Sequence, residues 1–117
     1  MNTREVGRSG EDLAEAHLVA AGMRIIARNL HVRSAELDLV ALDRGTLVFV
    51  EVKLRRSARF GRPEESVDQR KQRRIAAAAA EVIARGALPR ASRFRFDVIA
   101  IDASTDPPRL THFRDAF

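Results

Sequence analysis

The chain has 117 residues, 45% hydrophobic and 32% charged, with a net charge of +5 at pH 7. That size suits one compact α/β or α+β domain with a modest core, spanning residues 1–117. The chain has no cysteine, which excludes disulfides, thiol catalysis and cysteine-ligated zinc, and it has no apolar run of membrane-spanning length.

The first residues, Met1-Asn2-Thr3-Arg4-Glu5, lack the charged-then-apolar layout of a secretory signal, so a cytoplasmic location is expected. Residues 6–21 have helical periodicity and stop at Gly22. Glu11, Ala14 and Leu18 share a face, which puts Glu11 at the flank of the buried stripe. It is either a first-turn acid favoured by the helix dipole or a further ligand for a metal or water beside a sheet. Residues 23–32 read as a first strand. His17, His31 and His112 have no ligand-like spacing and are read as structural or exposed.

Residues 36–42 and 47–53 read as the two arms of a hairpin around Asp43-Arg44-Gly45-Thr46, a turn with glycine where positive φ is needed. Pairing Asp43 with Thr46 sets the register. Asp38 then faces Glu51, Glu36 faces Lys53 and Val40 faces Phe49. A slip of one residue would put the two carboxylates on opposite faces. Leu37, Leu39, Ala41, Val48, Val50 and Val52 form one wholly apolar face. The other is apolar near the turn and ionic only at its far end, so both faces look covered. Opposed like charges destabilise a strand pair. Two ionised carboxylates held together call for a cation between them, and a hard ion such as Mg²⁺ suits oxygen ligands. The plainer reading is the wet face of an antiparallel sheet.

Residues 55–63 form a basic loop with a turn at Phe60-Gly61-Arg62-Pro63. A long helix is predicted from residue 63 or 64 to 85, closed by Gly86, with Glu64, Glu65 and Asp68 at its start. Its buried stripe is Val67, Ile75, Ala78 and Val82. Lys71 falls in the middle of that stripe, so it either snorkels out or reaches a buried anionic site. Residues 88–92 are a linker and residues 94–102 a strand. Asp106-Pro107-Pro108 breaks the chain, and residues 109–113 are a short edge strand. The order α-β-β-β-α-β-β implies a mixed sheet between helices.

Residues 53–74 hold nine basic and three acidic side chains, a local charge of +6, while the remainder is −1. A concentrated patch of this kind binds phosphate backbones by releasing counterions; a solvated loop and helix face is the bland alternative. Arg55, Arg56, Arg59, Arg62, Arg70 and Arg74 are the candidate nucleic-acid contacts. With no Tyr or Trp and six Phe, base stacking is poorly supplied. Recognition of backbone and shape, in duplex or branched DNA, fits better.

Asp38, twelve intervening residues and Glu51-Val52-Lys53, after a helix bearing Glu11, resemble the PD-(D/E)XK nuclease core. The chain more closely resembles the YraN family of small bacterial proteins regarded as nuclease-like. The matching stretches are Gly7-Arg8-Ser9-Gly10-Glu11-Asp12-Leu13-Ala14, Glu36-Leu37-Asp38-Leu39-Val40, Val48-Phe49-Val50-Glu51-Val52-Lys53, Val67-Asp68-Gln69-Arg70-Lys71-Gln72-Arg73, Arg95-Phe96-Asp97-Val98 and Ala116-Phe117. Among characterised nucleases the chain is similar to archaeal Holliday-junction resolvases, which act as homodimers.

The resemblance implies an α/β restriction-endonuclease-like core, α-β-β-β-α-β, and a Mg²⁺- or Mn²⁺-dependent endonuclease. Asp38 and Glu51 would be its metal ligands, Lys53 its catalytic lysine, Glu11 a supporting acid and Lys71 a further active-site residue. A homodimer and a nucleic-acid partner follow by the same analogy, with no membrane involvement. Ala35 stands where the YraN-like motif has glycine. If that turn requires positive φ, alanine costs about 1 kcal/mol. Two other readings remain: a non-catalytic nucleic-acid-binding module that keeps the fold, and an assembly factor whose basic patch meets an acidic protein.

Overall fold

A computed structural model describes residues 3–55 and 67–117, with side chains from Gly10 onward. The elements are α1 (Thr3–Ala20), β1 (Arg24–His31), β2 (Glu36–Asp43), β3 (Thr46–Arg55), α2 (Gln69–Ala84), β4 (Arg93–Asp102) and β5 (Arg109–Phe113). The strands form one sheet in the order β1-β2-β3-β4-β5. β1, β2 and β3 are antiparallel neighbours, β3 and β4 are parallel, and β5 returns antiparallel to β4. A parallel pair needs a crossover, and α2 lies between β3 and β4 in the chain. The α/β class and the mixed sheet match the expectation.

α1 ends in a Schellman arrangement. The Gly22 N–H donates to Val19 O and the Met23 N–H to Leu18 O, with Gly22 at φ +91°. Glycine reaches that φ without the penalty of a Cβ. α1 buries Ala14 and Leu18 against Leu39, Ala41, Val48, Val50, Ile99 and Ile101. α2 covers the opposite face, with Ile75, Ala78, Ala79 and Val82 against Val40, Leu47, Phe49 and Val98. β3 is therefore enclosed on both faces. That is why Leu47, Val48, Phe49 and Val50 form an unbroken apolar run instead of alternating with polar residues. Leu37 departs from the simple two-face pattern and joins the core on the α2 side.

α2 is shorter than predicted. Its N-cap is Asp68, at φ −73° and ψ 174°, whose side chain accepts the Lys71 N–H. Extended backbone and a carboxylate that satisfies an orphan amide make Asp68 a cap and not a first-turn residue. Val67 is buried ahead of the helix, where Gln72 Nε2 donates to its carbonyl. Residues 63–66, where the predicted start falls, lie outside the described residues.

Candidate active site

The β2–β3 hairpin turns through Arg44 at φ +49° and Gly45 at φ +84°, the two positive values of a type I′ turn. Its register is the expected one: Asp43↔Thr46, Leu42↔Leu47, Ala41↔Val48, Val40↔Phe49 and Leu39↔Val50. The backbone ladder stops at Leu39. Beyond it Asp38 spans the gap with its side chain, and Oδ2 accepts the Val52 N–H at 2.9 Å. Neither the expected Asp38–Glu51 backbone pair nor the expected Glu36–Lys53 pair forms. Glu36 pairs with His31 of β1, with Oε1 3.7 Å from His31 Nε2, and the Lys53 ammonium goes elsewhere.

It goes to Glu51. Lys53 Nζ lies 3.3 Å from Glu51 Oε1, and Lys71 Nζ reaches the same oxygen from α2 at 2.7 Å. Of the two readings open for Lys71, the structure selects the buried anionic site. The Glu51 side chain is only 8% exposed, so water cannot substitute for those ammonium groups. Burial, and then the negative charge of Glu51, push the Asp38 carboxyl from its ordinary 3.8 up to about 7. Burial, with the Lys71 ammonium close by, lowers the Lys53 pKa. Burial works against the charge on Lys71 too and is the largest single effect, yet its bonds to Glu51 and Lys53 and the negative charges of Glu51 and Asp38 together outweigh it and raise its pKa.

Asp38, Glu51 and Lys71 line a cleft of about 270 Å³, together with Ser34, Glu36 and Arg74. Glu11 is held to one side. Its Oε2 accepts Asn29 Nδ2 at 2.9 Å and lies 3.5 Å from an Arg28 guanidinium nitrogen. From there its charge still raises the Asp38 pKa, behind the larger effects of burial and Glu51. Among the described residues no group of three His, Asp or Glu side chains is placed to hold a metal ion. Asp38 and Glu51 are thus the two carboxylates of interest.

Arg70 and Arg74 are exposed at the start of α2, as a phosphate-binding role requires. Arg55 ends β3, and its Nε is buried without a hydrogen-bond partner. Arg56, Arg59 and Arg62 lie outside the described residues. Ala35 is not among the positive-φ residues; it closes a turn through a bond from the Val32 N–H to its carbonyl. The β1–β2 turn therefore has no need of glycine, and the expected strain is absent.

A second polar centre was not expected from the sequence. Asp97 is fully buried. Arg95 donates to it through Nε at 2.9 Å and through a terminal nitrogen at 3.0 Å. The Asp115 N–H donates at 2.9 Å, and His112 Nε2 lies 2.7 Å away. Burial opposes the Asp97 charge, but the bonds from His112 and Arg95 hold its carboxyl below the usual range. A carboxylate only accepts, so His112 donates from Nε2. Its Nδ1 lies 3.0 Å from His17 Nε2. Arg-x-Asp at strand spacing was the available signal, because residues i and i+2 share a face. The histidine partners had no local signal at all. This centre lies on the α1 side, with the sheet between it and the cleft.

No helix among the described residues is long and apolar enough to cross a membrane. The family model described as "Uncharacterised protein family UPF0102" matches residues 10–101. A UPF0102 protein of Symbiobacterium thermophilum is 50% identical over 105 residues, covering 89% of this chain and 87% of its own. One from Rhodococcus opacus is 49% identical over 113 residues, covering 96% and 95%. A third, from Geobacter sulfurreducens, is 48% identical over 113 residues, covering 96% and 88%. The matched segment runs from α1 to β4 and contains Asp38, Glu51, Lys53, Lys71 and Asp97; the chain belongs to the uncharacterised protein family UPF0102.

Proposed function

We propose that this protein is a metal-dependent endonuclease that hydrolyses DNA phosphodiesters, with branched or junction DNA as a candidate substrate class. One observation carries the reading. Two carboxylates sit together at one cleft, and burial beside Glu51 drives Asp38 up to about 7. Holding like charges together costs stability, and a purely structural hairpin gains nothing from it.

The donor set fits a hard divalent cation such as Mg²⁺ or Mn²⁺. Asp38 Oδ1 and Glu51 Oε2 make no hydrogen bond among the described residues, and oxygen ligands are what such ions prefer. When bound, the ion lowers the pKa of a coordinated water and offsets charge on the phosphate. Asp38 and Glu51 would hold it. The Lys53 ammonium, on the same strand face as Glu51, would stabilise the negative charge that builds on the phosphate oxygens. Arg70 and Arg74 on α2 would draw the backbone to the cleft. The resemblance to PD-(D/E)XK nucleases supports the same assignment.

The test is a cleavage panel on four-way junctions, flaps, duplex and single strands with Mg²⁺, Mn²⁺ or EDTA. Wild type should cut in a metal-dependent way. Asp38→Ala should lose at least ~100-fold in rate, the scale of losing one preorganised charge at a reacting centre, while binding DNA within a few-fold of wild type. Substantial cutting by pure Asp38→Ala protein would sink the assignment.

One observation favours a second reading, a nucleic-acid-binding module without turnover. Two ammonium groups already neutralise Glu51 without any metal. Salt-sensitive DNA binding, with no cutting of any substrate in the panel, would select it.

A further inference from the structure

We propose that Lys71 is a displaceable occupant of the cation site, so that the divalent ion and a nucleic-acid phosphate enter the cleft together. This rests on the nuclease reading above and concerns the order of binding within that site.

Glu51 Oε1 is shared by two ammonium groups, and the closer belongs to Lys71 at 2.7 Å, not to Lys53 at 3.3 Å. The two lysines differ in freedom. Lys53 is on the same strand as Glu51, and its side chain is 15% exposed. Lys71 reaches over from α2, and its side chain is 30% exposed. It lines the open cleft with Arg74 and Ser34. A flexible four-carbon stem at the mouth of a cleft can swing its charge to a new partner without moving the helix. Lys53 has much less room to do so.

Charge decides what makes it move. With both carboxylates ionised, two lysines against two carboxylates leave the cleft neutral. A divalent cation entering alone would meet two ammonium groups within reach and raise the local charge by two. A phosphodiester entering alone would bring a negative charge toward Asp38 and Glu51. Each is poorly received by itself. Together they nearly cancel, because the phosphate gives Lys71 a new anionic partner and Glu51 is released to the cation. Binding of either must then favour the other by the same factor, as linkage demands.

The experiment is Mn²⁺ binding followed by electron paramagnetic resonance, at fixed ionic strength and pH. It uses the full chain with and without a duplex whose phosphorothioate linkages block cutting. Wild type is compared with Lys71→Ala and with Lys71→Gln, which keeps a hydrogen-bond donor for Glu51 if alanine impairs folding. Arg93→Ala removes an exposed cation next to Thr46, at the far end of β3 from Glu51, and controls for net charge.

Wild type should bind Mn²⁺ at least tenfold more tightly with the duplex than without it. Lys71→Ala or Lys71→Gln should bind Mn²⁺ at least tenfold more tightly than wild type in the absence of DNA, and the duplex should then add less than threefold. Arg93→Ala should behave as wild type. Equal Mn²⁺ affinity for wild type and both Lys71 variants would overturn the latch while leaving the nuclease reading in place. If no protein binds Mn²⁺ under any condition, both fall. If only the latch fails, cleavage by wild type and its loss in Asp38→Ala still stand as a separate result.

Discussion

Asp38 is the residue whose chemistry is most altered by its surroundings, and the alteration has a stability cost of predictable sign. Its carboxyl titrates near 7 in the folded protein, for reasons of burial and the Glu51 charge, against about 3.9 in an unfolded chain. Between those values the folded state keeps a proton that the unfolded chain has released. Stability therefore falls as pH rises from about 4 to about 7, and the loss is complete above that window. Asp38→Asn removes the titration. It is expected to match wild type in urea denaturation near pH 4 and to exceed it at pH 8 by on the order of 2 kcal/mol, the shift being discounted for its coupling to Glu51. Mg²⁺ should stabilise wild type at pH 8 and leave Asp38→Asn nearly unchanged, because an ion stabilises only the state that binds it. Equal pH profiles for the two proteins would mean that Asp38 is not strained by its site.

Among the elements, β3 and β4 do opposite jobs on opposite faces of one sheet. β3 directs Glu51 and Lys53 toward α2, whose Lys71 completes the cluster. One position along the paired strand, β4 turns Asp97 the other way, toward α1 and β5. There Asp97 ties β4 to His112 of β5 and to the backbone of Asp115, and His112 in turn meets His17 of α1. Phe117 closes the same end by stacking on Phe96, with ring centroids 5.1 Å apart. Asp97→Asn would leave the Arg95 guanidinium with only its 3.4 Å contact to Asp43, and removing one partner of a buried pair costs up to about 3–5 kcal/mol. Urea unfolding at pH 7 should register a loss of that size. Because the Asp97 pKa is depressed, its contribution is present above about pH 4 and disappears as pH falls through the folded value. A loss below ~1 kcal/mol, the level of an exposed pair, would show that the network is incidental.

At the scale of the molecule the positive charge is placed where helix electrostatics disfavour it. Arg70, Lys71, Arg73 and Arg74 all fall in the first six residues of α2, which has no acid in its first turn. The positive end of a helix dipole makes Arg70 and Lys71, which lie in the first turn, unfavourable by about 0.3–1 kcal/mol each. Among the described residues only Lys71 gains an acidic partner in return. That concentration beside the cleft is what an anion-binding end requires. If DNA occupies it, Arg70→Ala together with Arg74→Ala should flatten the dependence of log binding constant on log salt by roughly 2, since each phosphate left without its arginine accounts for about 0.9. An unchanged slope would move the DNA path away from α2.

Much of this is legible without the fold. The hairpin register follows from Gly45 in a two-residue turn and from strand alternation, which act over a few residues. The enclosed character of β3 follows from its unbroken apolar run. The helix start falls too early in the sequence reading because acids ahead of Asp68 resemble a first turn, and only backbone geometry separates a cap from the turn behind it. The sequence by itself determined the elements, their order and the hairpin register from the turn as far as Leu39 and Val50, since local sterics and periodicity control those. Tertiary structure alone decided that Lys71 meets Glu51 and that Glu11 turns to Asn29. It also joined Asp97 to His112 and His17, the two histidines being 95 residues apart. Such contacts arise from two helices packing on opposite faces of one sheet, and no spacing along the chain encodes that arrangement.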